Sequence, residues 1–225
     1  MSQFSIYFIR HGQTYFNLFN RMQGWSDSPL TDYGKQIATQ VGEALQAVPF
    51  DAVYASDSKR AVDTARLIQE AAGQPNVPFN TLMNFREVFY GYFEGGDSSR
   101  TWSLVGRQYG VNSLHTLLTK INIEETRDLM KTIDPWHEAE DNVAFWQRLD
   151  AGFDYLKAHH DHHEKVLVVS HGTTIRSIAA HFAPNLDISR GPKNGSLTRL
   201  DVDGDQIKLV TYAKELVPTV ANAHS

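Results

Sequence analysis

Two stretches predict the central strands of a sheet: FSIYFIRHG at residues 4–12 and KVLVVSHG at residues 165–172. Each is a short apolar run, rich in β-branched or aromatic residues, that passes into a polar turn containing glycine. This pattern is typical of a strand buried on both faces of a parallel sheet. A histidine, His11 or His171, follows the end of each strand. Because the carboxyl ends of parallel strands meet at one sheet edge, we expect both imidazoles to line the same crevice.

The segments around these two strands alternate between strand and helix patterns. Apolar residues at helical spacing, with Thr31 as N-cap and Pro49 as a stop, predict a helix over 31–48. The remaining predicted elements are a strand at 52–56, helices at 59–72, 141–160 and 173–181, and an antiparallel hairpin at 196–203 and 206–213 that turns at Asp203-Gly204. This order predicts an α/β protein, a three-layer α/β/α sandwich with a mostly parallel sheet and a late antiparallel hairpin.

The segment 96–141 interrupts this alternation. It begins after Gly95, is helix-prone and carries charges of both signs. Both of its ends approach the carboxyl edge of the sheet if the crossover is ordinary, so we predict a helical cap insertion over the crevice. The chain, residues 1–225, is then a single domain that includes this cap.

Composition excludes several classes of protein. The net charge is −5, so no overall field attracts polyanions, and we expect no nucleic-acid partner. The sequence has no cysteine, which excludes disulfides, thiolate catalysis and cysteine-based zinc sites. No apolar run approaches the roughly 18 residues that span a bilayer, so we expect no membrane partner and a cytoplasmic protein.

The crevice is predicted to hold cations beside the two histidines. Arg10 adjoins His11, and Arg60 opens the helix after the second strand. A planar guanidinium suits a phosphate or a carboxylate. The two arginines could instead form internal salt bridges with Asp57, Asp63 or Glu87. With two arginines, two histidines and one carboxylate, such a site could bind a phosphoryl dianion, attack its phosphorus atom and protonate the leaving alcohol.

Several ordered motifs resemble one known family. They are RHGQT at residues 10–14 with Asn17, QGWSDSPLT at 23–31, SDSKR at 56–60, the Glu87-x-x-Tyr90-Gly91 spacing, and SHG at 170–172. Together they resemble the histidine phosphatase superfamily, whose branches include cofactor-dependent phosphoglycerate mutases and broad-specificity phosphatases. The resemblance covers residues 4–95 and 165–213, whereas the segment between them matches no branch that we identify.

The resemblance implies three catalytic roles. His11 would be the nucleophile that forms a phosphohistidine, His171 would donate to the developing equatorial charge, and Glu87 would protonate the leaving oxygen. An imidazole attacks only when neutral, and nearby arginines oppose its protonation. Glu87 must be protonated to act as an acid, and we expect an apolar wall of Phe85, Phe89 and Tyr90 to favour that form.

The resemblance also implies the binding residues. Arg10 and Arg60 would hold the phosphoryl oxygens, Asn17 would add a donor to the same pocket, and Gln23 and Gly24 would contact the substrate. The arginine pair would supply the charge stabilisation that a metal ion supplies elsewhere, so we expect no metal and no cofactor. The expected partner is a small phosphorylated substrate. The sequence does not determine the oligomeric state.

Some residues allow a second interpretation. Glu94 could replace Glu87 as the acid. His159, His160, His162 and His163 could bind a metal, although a solvated helix end before a strand explains them more simply. We interpret Trp102, Tyr109, Trp136 and Trp146 as core residues of the cap rather than as a stacking platform for a ligand.

The reaction depends on the branch. The cofactor-dependent mutases of the family carry a neighbouring arginine pair and a proline-rich stretch between the glutamate and the second histidine motif, and neither occurs between Gly95 and Lys165. Gln23 is also similar to the phosphatase branch, so the resemblance favours a metal-independent phosphomonoester hydrolase. The alternatives are phosphoryl transfer of the phosphoglycerate mutase type and a non-catalytic phosphate-binding module. The cap could present one of five cations to a second anionic group of the substrate, or hold all five in solvent. They are Arg100, Arg107, Lys120, Arg127 and Lys131.

Overall fold

The computed structural model describes residues 2–217, which form a six-stranded sheet with helices on both faces. The order of strands across the sheet is β3-β2-β4-β1-β5-β6. Their bounds are β1 Gln3–Arg10, β2 Ala52–Ala55, β3 Phe79–Thr81, β4 Glu164–Ser170, β5 Leu197–Asp203 and β6 Gln206–Lys214. The two stretches with the clearest strand pattern therefore lie side by side in the centre of the sheet.

The direction of the strands confirms the predicted sheet. β1 runs parallel to β4, β4 to β2 and β2 to β3. β5 runs antiparallel to both of its neighbours, β1 and β6, and β5 and β6 form the predicted hairpin. The short edge strand β3 was not predicted, because its three residues are largely exposed and carry no apolar pattern.

Side chains of the central strands alternate between two hydrophobic cores. Phe4, Ile6 and Phe8 of β1 belong to one core, whereas Tyr7 and Ile9 belong to the other. The residues of β4 divide in the same way. This period of two places an apolar layer on each face of the sheet, which confirms the three-layer sandwich.

The helices cover both faces of the sheet. The helices outside the cap are α1 Tyr15–Leu18, α2 Asp32–Ala44, α3 Lys59–Ala71, α7 Asn142–His159 and α8 Gly172–Phe182. α2 and α3 pack on one face, and α7 and α8 pack on the other. Thr31 caps α2 as predicted, because its side chain accepts a hydrogen bond from the Gly34 N–H.

The predicted cap is helical. It contains α4 Ser98–Val105, α5 Leu114–Leu117 and α6 Ile123–Ile133, and α6 contacts α7 and α8. That the chain is a single domain stays a prediction, and residues 1 and 218–225 lie outside the described part. No helix within residues 2–217 is long and apolar enough to cross a membrane.

The aromatic residues predicted for the cap core separate into two groups. Trp102 is buried and Trp146 is half-buried, whereas Tyr109 is 39% exposed and Trp136 is 72% exposed. The interpretation as core residues was therefore wrong for Tyr109 and Trp136. Trp136 lies in the loop after α6, and helical spacing does not apply there.

Candidate active site

A cavity of about 400 Å³ opens at the carboxyl edge of the sheet. The predicted residues Arg10, His11, Asn17, Gln23 and Glu87 line it, whereas Gly24, Arg60 and His171, which were also predicted, do not. The cap contributes Ser98, Trp102 and Leu114, so it does cover the crevice. The first turns of α8 and the loop that ends at Asn194 complete the wall.

The imidazole of His11 is buried and oriented by the main chain. The His11 N–H donates to the Ser170 carbonyl at 3.0 Å, which ties the end of β1 to the end of β4. The His11 Nδ1 lies 2.7 Å from the Gly12 carbonyl oxygen, which can only accept, so Nδ1 carries the proton and Nε2 holds the lone pair. Burial, together with the charges of Arg60 and Arg10, holds the pKa of His11 well below its usual range.

His171 stands beside His11, with ring centroids 5.2 Å apart. Its Nδ1 accepts from Nη2 of Arg60 at 3.0 Å, so the proton is on Nε2, which donates to Oγ of Ser56 at 2.6 Å. Burial, followed by the charge of Arg60, also holds the pKa of His171 well below its usual range. Both histidines are thus neutral at pH 7.

The fully buried guanidinium of Arg60 lies beside His171. It donates to Oδ1 of Asp27 at 3.0 Å and to the Gly24 carbonyl at 2.7 Å. Part of the alternative interpretation therefore holds, since Arg60 does form an internal salt bridge, but Asp27 is its partner. Of the three carboxylates named for that role, Asp57 pairs with Arg86 and Asp63 with Lys59.

Arg10 reaches the cavity from the end of β1. Its Nη1 donates to the Pro192 carbonyl at 2.7 Å, and its buried Nε has no hydrogen-bond partner within residues 2–217. Burial lowers the pKa of Arg10, and the charge of Glu87 opposes that effect. An arginine held in this way keeps donors for an incoming anion.

Glu87 binds the N-terminus of α8. Its Oε2 accepts from the Thr173 N–H at 2.8 Å, and its Oε1 accepts from the Thr174 N–H at 2.9 Å. The Val88 N–H and the Thr174 hydroxyl also donate to Oε1. The environment of the carboxyl group is therefore polar, with four donors on its oxygens, rather than the predicted apolar wall of Phe85, Phe89 and Tyr90.

Glu94, the alternative acid, has a structural role. Its carboxylate accepts from the N–H groups of Gly24, Trp25, Ser26 and Tyr90 and so joins two loops. It does not line the cavity. The Gly24 N–H and carbonyl are engaged by Glu94 and Arg60, so a direct substrate contact by Gly24 stays a prediction.

Asn17 and Gln23 lie on the cavity wall within a shared network. Oδ1 of Asn17 accepts from the Thr14 N–H and from Nδ2 of Asn194. Oε1 of Gln23 accepts from the Thr14 hydroxyl at 2.6 Å. These bonds leave the Nδ2 of Asn17 without a protein acceptor in the described part of the chain, which suits a donor to a bound anion.

None of the five cap cations lines the cavity. Arg100, Arg107 and Lys120 are exposed, and Lys131 pairs with Asp141. Arg127 is buried, and its guanidinium donates to the Ser177 hydroxyl of α8, so it fastens the cap to the body of the protein. Charge selection by these five residues is therefore not supported.

Three features of the site that involve arginines were not predicted from the sequence. Asp27 pairs with Arg60, and Arg148 donates to the Glu87 carbonyl while it pairs with Glu140. Arg176 lines the cavity from α8. Of these, only Arg176 carried a signal, because it lies four residues after Gly172 and hence on the same face of a predicted helix.

The predicted histidine cluster at the end of α7 is dispersed. His160 is buried, whereas His159, His162 and His163 are exposed. Residues 2–217 contain no group of three or more His, Cys, Asp and Glu side chains that could hold a metal ion.

Comparison with known families matches residues 6–215 to the histidine phosphatase superfamily (branch 1). The chain belongs to the histidine phosphatase superfamily. One relative is a 2,3-bisphosphoglycerate-dependent phosphoglycerate mutase from Gloeobacter violaceus, which is 33% identical over 170 residues. That match covers 76% of this chain and 71% of the relative.

Solved structures of superfamily members share the fold. A phosphoglycerate mutase from Bacillus anthracis superposes with a TM-score of 0.87 at 31% identity, covering 95% of this chain and 94% of that one. A mycobacterial glucosyl-3-phosphoglycerate phosphatase superposes with a TM-score of 0.72 at 24% identity, covering 94% and 99%. The second likeness shows the fold alone.

Proposed function

We propose that this superfamily member is a metal-independent phosphomonoester hydrolase that acts through a phosphohistidine at His11. The observation that carries the proposal is the state of His11. Its Nδ1 proton is held by the Gly12 carbonyl, its Nε2 lone pair is free to attack, and its ring borders a cavity that also contains Arg10. A neutral, oriented imidazole beside a cation suits attack on a phosphoryl group.

The first half of the reaction forms the phosphohistidine. Nε2 of His11 attacks phosphorus, the P–O ester bond breaks, and the leaving oxygen takes the electron pair of that bond and a proton from Glu87. The guanidinium of Arg10 and the amide of Asn17 are placed to hold the phosphoryl oxygens. Arg60 adds positive potential beside His11, since its charge acts on both imidazoles.

The second half releases phosphate. Water attacks the phosphohistidine, the P–N bond breaks, and the proton of that water returns to Glu87. Glu87 lines the cavity, and the N-terminus of α8 fixes the orientation of its carboxyl group for this shuttle. A fixed carboxyl can act as acid in one half and as base in the other.

Phosphoglycerate mutase activity is the second candidate, because the relative from Gloeobacter violaceus and the structure from Bacillus anthracis carry that name. Both reactions need the same phosphohistidine, and they differ in whether water or a second alcohol removes the phosphoryl group. We favour water because the segment between Gly95 and Lys165 has neither the neighbouring arginine pair nor the proline cluster of the mutases, and because Gln23 is similar to the phosphatase branch.

One experiment separates the candidates. Purified protein is incubated with p-nitrophenyl phosphate and, separately, with 3-phosphoglycerate in the presence and absence of 2,3-bisphosphoglycerate, while ³¹P NMR follows the products. A hydrolase releases inorganic phosphate and keeps its rate in EDTA. Isomerisation of 3-phosphoglycerate faster than phosphate release would establish the mutase. Binding of phosphate without either reaction would establish the non-catalytic module.

A further inference from the structure

The main chain around Glu87 is held by one side chain, that of Arg148. Residues 86–90 form neither a helix nor a strand, so their buried backbone groups need partners from elsewhere in the fold. Nη1 of Arg148 donates to the Asn84 carbonyl at 2.7 Å and to the Arg86 carbonyl at 3.0 Å. Its Nη2 donates to the Glu87 carbonyl at 3.0 Å. One guanidinium from α7 therefore binds three carbonyls of the segment that carries Glu87.

Glu140 completes the contacts of Arg148. Its Oε1 accepts from Nε at 2.6 Å and its Oε2 from Nη2 at 2.8 Å, so all five N–H groups of the guanidinium have an acceptor. Oε2 also accepts from the Phe89 N–H at 3.3 Å, and the Glu140 N–H donates to the Phe89 carbonyl at 2.8 Å. Both side chains of the ion pair are largely buried. The pair thus binds the main chain on both sides of Glu87.

Glu87 is therefore fixed at two points. The N-terminus of α8 binds the carboxyl oxygens. At the other end of the residue, the Glu87 carbonyl accepts from Arg148 and from Nε1 of Trp25 at 3.1 Å. Arg148 does not line the cavity, so an effect of Arg148 on the reaction passes through the residues that it binds.

We propose that Arg148 is a positioning residue for the acid: it fixes the main chain of Glu87 so that the carboxyl group lies where the leaving oxygen departs. This inference rests on the proposed function, since it takes Glu87 as the proton donor. A displacement of the donor by about 1 Å is enough to cost about 10²-fold in rate, because proton transfer requires hydrogen-bond contact with the leaving oxygen. Loss of Arg148 should therefore reproduce, in weaker form, the loss of Glu87 itself.

Kinetics on two esters test the position of the acid. Arg148→Met should lower kcat for an alkyl phosphate by about 10²-fold and kcat for p-nitrophenyl phosphate by less than about fivefold, with little change in either KM. The reason is that only the alkoxide needs a proton to depart. An equal loss for both esters would refute the positioning role.

Arg127→Met is the matched control. Arg127 is also buried, and its guanidinium lies over the same Phe145 ring as that of Arg148. It donates instead to Asn142 and Ser177. Any loss of kcat in Arg127→Met should therefore be equal for the two esters, whereas a leaving-group contrast there as large as in Arg148→Met would refute a specific role of Arg148.

The double variant Glu87→Gln/Arg148→Met separates a positioning role from a general effect on the fold. Because Glu87→Gln already removes the proton donor, the addition of Arg148→Met should slow the alkyl phosphate by less than about threefold further. A further loss of about 10²-fold would show that Arg148 acts independently of Glu87 and would overturn the proposal.

Arg148→Lys separates position from charge. Burial, Arg60 and His11 lower the pKa of His171, and the charge of Arg148 lowers it further. Lysine retains the charge, but its single ammonium group cannot span three carbonyls and Glu140, so kcat for the alkyl phosphate should still fall about tenfold. This variant also replaces Arg148→Met if that protein does not fold. Unchanged rates on both esters would show that Arg148 provides charge and not position.

A spectroscopic measurement keeps the two proposals apart. In protein labelled with [5-¹³C]glutamate, the carboxyl resonance of Glu87 is assigned by its absence from Glu87→Gln. Arg148→Met should displace this resonance and Arg127→Met should not, whether or not the protein hydrolyses an ester. If no ester is hydrolysed, the proposed function is wrong and the resonance alone decides the role of Arg148. If esters are hydrolysed and the resonance does not move in Arg148→Met, only the positioning role is wrong.

Discussion

The two ends of the central sheet balance charge differently. At the amino-terminal end of β4, the buried His160 is enclosed between partners, since its Nε2 accepts from the Tyr54 hydroxyl at 2.9 Å and its Nδ1 donates to Glu164 at 2.7 Å. At the carboxyl end, the buried Nε of Arg10 has no hydrogen-bond partner in the part of the chain that the structure describes. Matched partners stabilise the fold, whereas unmatched buried charge marks a place for a ligand.

The largest expected effect is on turnover, from substitution of one histidine at each end. His11→Ala should lower kcat by at least about 10³-fold, because removal of a nucleophile has effects on that scale. His160→Ala is the matched control and should leave kcat within about threefold, while the free energy of unfolding falls by about 1–3 kcal/mol because Tyr54 and Glu164 lose a buried partner. Phosphate-release assays and urea unfolding measure the two quantities.

The covalent intermediate provides a second readout of the His11 variant. Rapid quench should trap acid-labile, base-stable phosphate on the unmodified protein and none on His11→Ala. Turnover by His11→Ala at the rate of the unmodified protein would show that His11 is not the nucleophile.

The next effect concerns the leaving group. Glu87→Gln should slow hydrolysis of an alkyl phosphate by about 10²–10⁴-fold, because an alkoxide needs a proton to depart. It should slow p-nitrophenyl phosphate by less than about tenfold, since p-nitrophenolate leaves without one. Steady-state kinetics on both esters measure the contrast.

Glu94→Gln is the control for Glu87. Its carboxylate joins two loops, so any loss should be equal for both esters. A leaving-group contrast in Glu94→Gln instead of Glu87→Gln would exchange the roles of the two residues.

A smaller effect is the pH dependence of stability. Burial and the charges of nearby arginines hold the pKa of His11 and of His171 well below 6.5 in the folded state. The unfolded chain takes up protons below that pH and the folded chain does not, so stability falls as the pH is lowered through 6.5. Each histidine should lower the free energy of unfolding between pH 7 and pH 5 by at most about 2 kcal/mol, the value for a group of pKa 6.5 that takes up its proton only in the unfolded chain.

The variant His11→Gln isolates that contribution. Its free energy of unfolding should fall less than that of the parent over the same pH interval, by a difference of at most about 2 kcal/mol. His159→Gln, at an exposed imidazole, should match the parent within about 0.5 kcal/mol. An identical pH dependence in the parent and in His11→Gln would contradict the neutral, buried state of His11.

The smallest expected effect lies at the amino-terminal end. Tyr54→Phe removes the hydroxyl that donates to His160 and should lower the free energy of unfolding by about 1 kcal/mol, with no change in turnover. Burial raises the pKa of Tyr54 to about 12, so this effect should persist up to pH 9. Tyr92→Phe, at an exposed side chain, is the control, and a change in kcat for Tyr54→Phe would show that the two ends of the sheet communicate.

Much of the site was predictable from local patterns. Strands β1 and β4 were identified because apolar β-rich runs end at polar turns, and parallel pairing brings their carboxyl ends together. His11 and His171 follow those ends, so their proximity required no knowledge of side-chain contacts. The N-cap Thr31 was predictable for the same reason, because its partner lies three residues away.

Contacts between distant residues were not predictable in this way. Asp27 and Arg60 are 33 residues apart, and Glu87 meets the Thr174 N–H from 87 residues away. No periodic pattern records which of several carboxylates folds beside a given arginine. The sequence therefore suggested Asp57, Asp63 or Glu87 as partners of Arg10 and Arg60, and it did not reveal that Glu94 joins two loops.

The layers of this protein, the order of most elements and the edge at which His11 and His171 meet were predictable from the amino-acid sequence, because they follow from side-chain periodicity and from the parallel pairing of buried strands. The matching of charges was not predictable and depends on the packed fold. The fold pairs Arg60 with Asp27, keeps the cap cations out of the cavity and leaves the Nε of Arg10 without a partner within residues 2–217. Pairing depends on distances of a few ångströms between groups far apart in the chain, and the packed fold sets those distances.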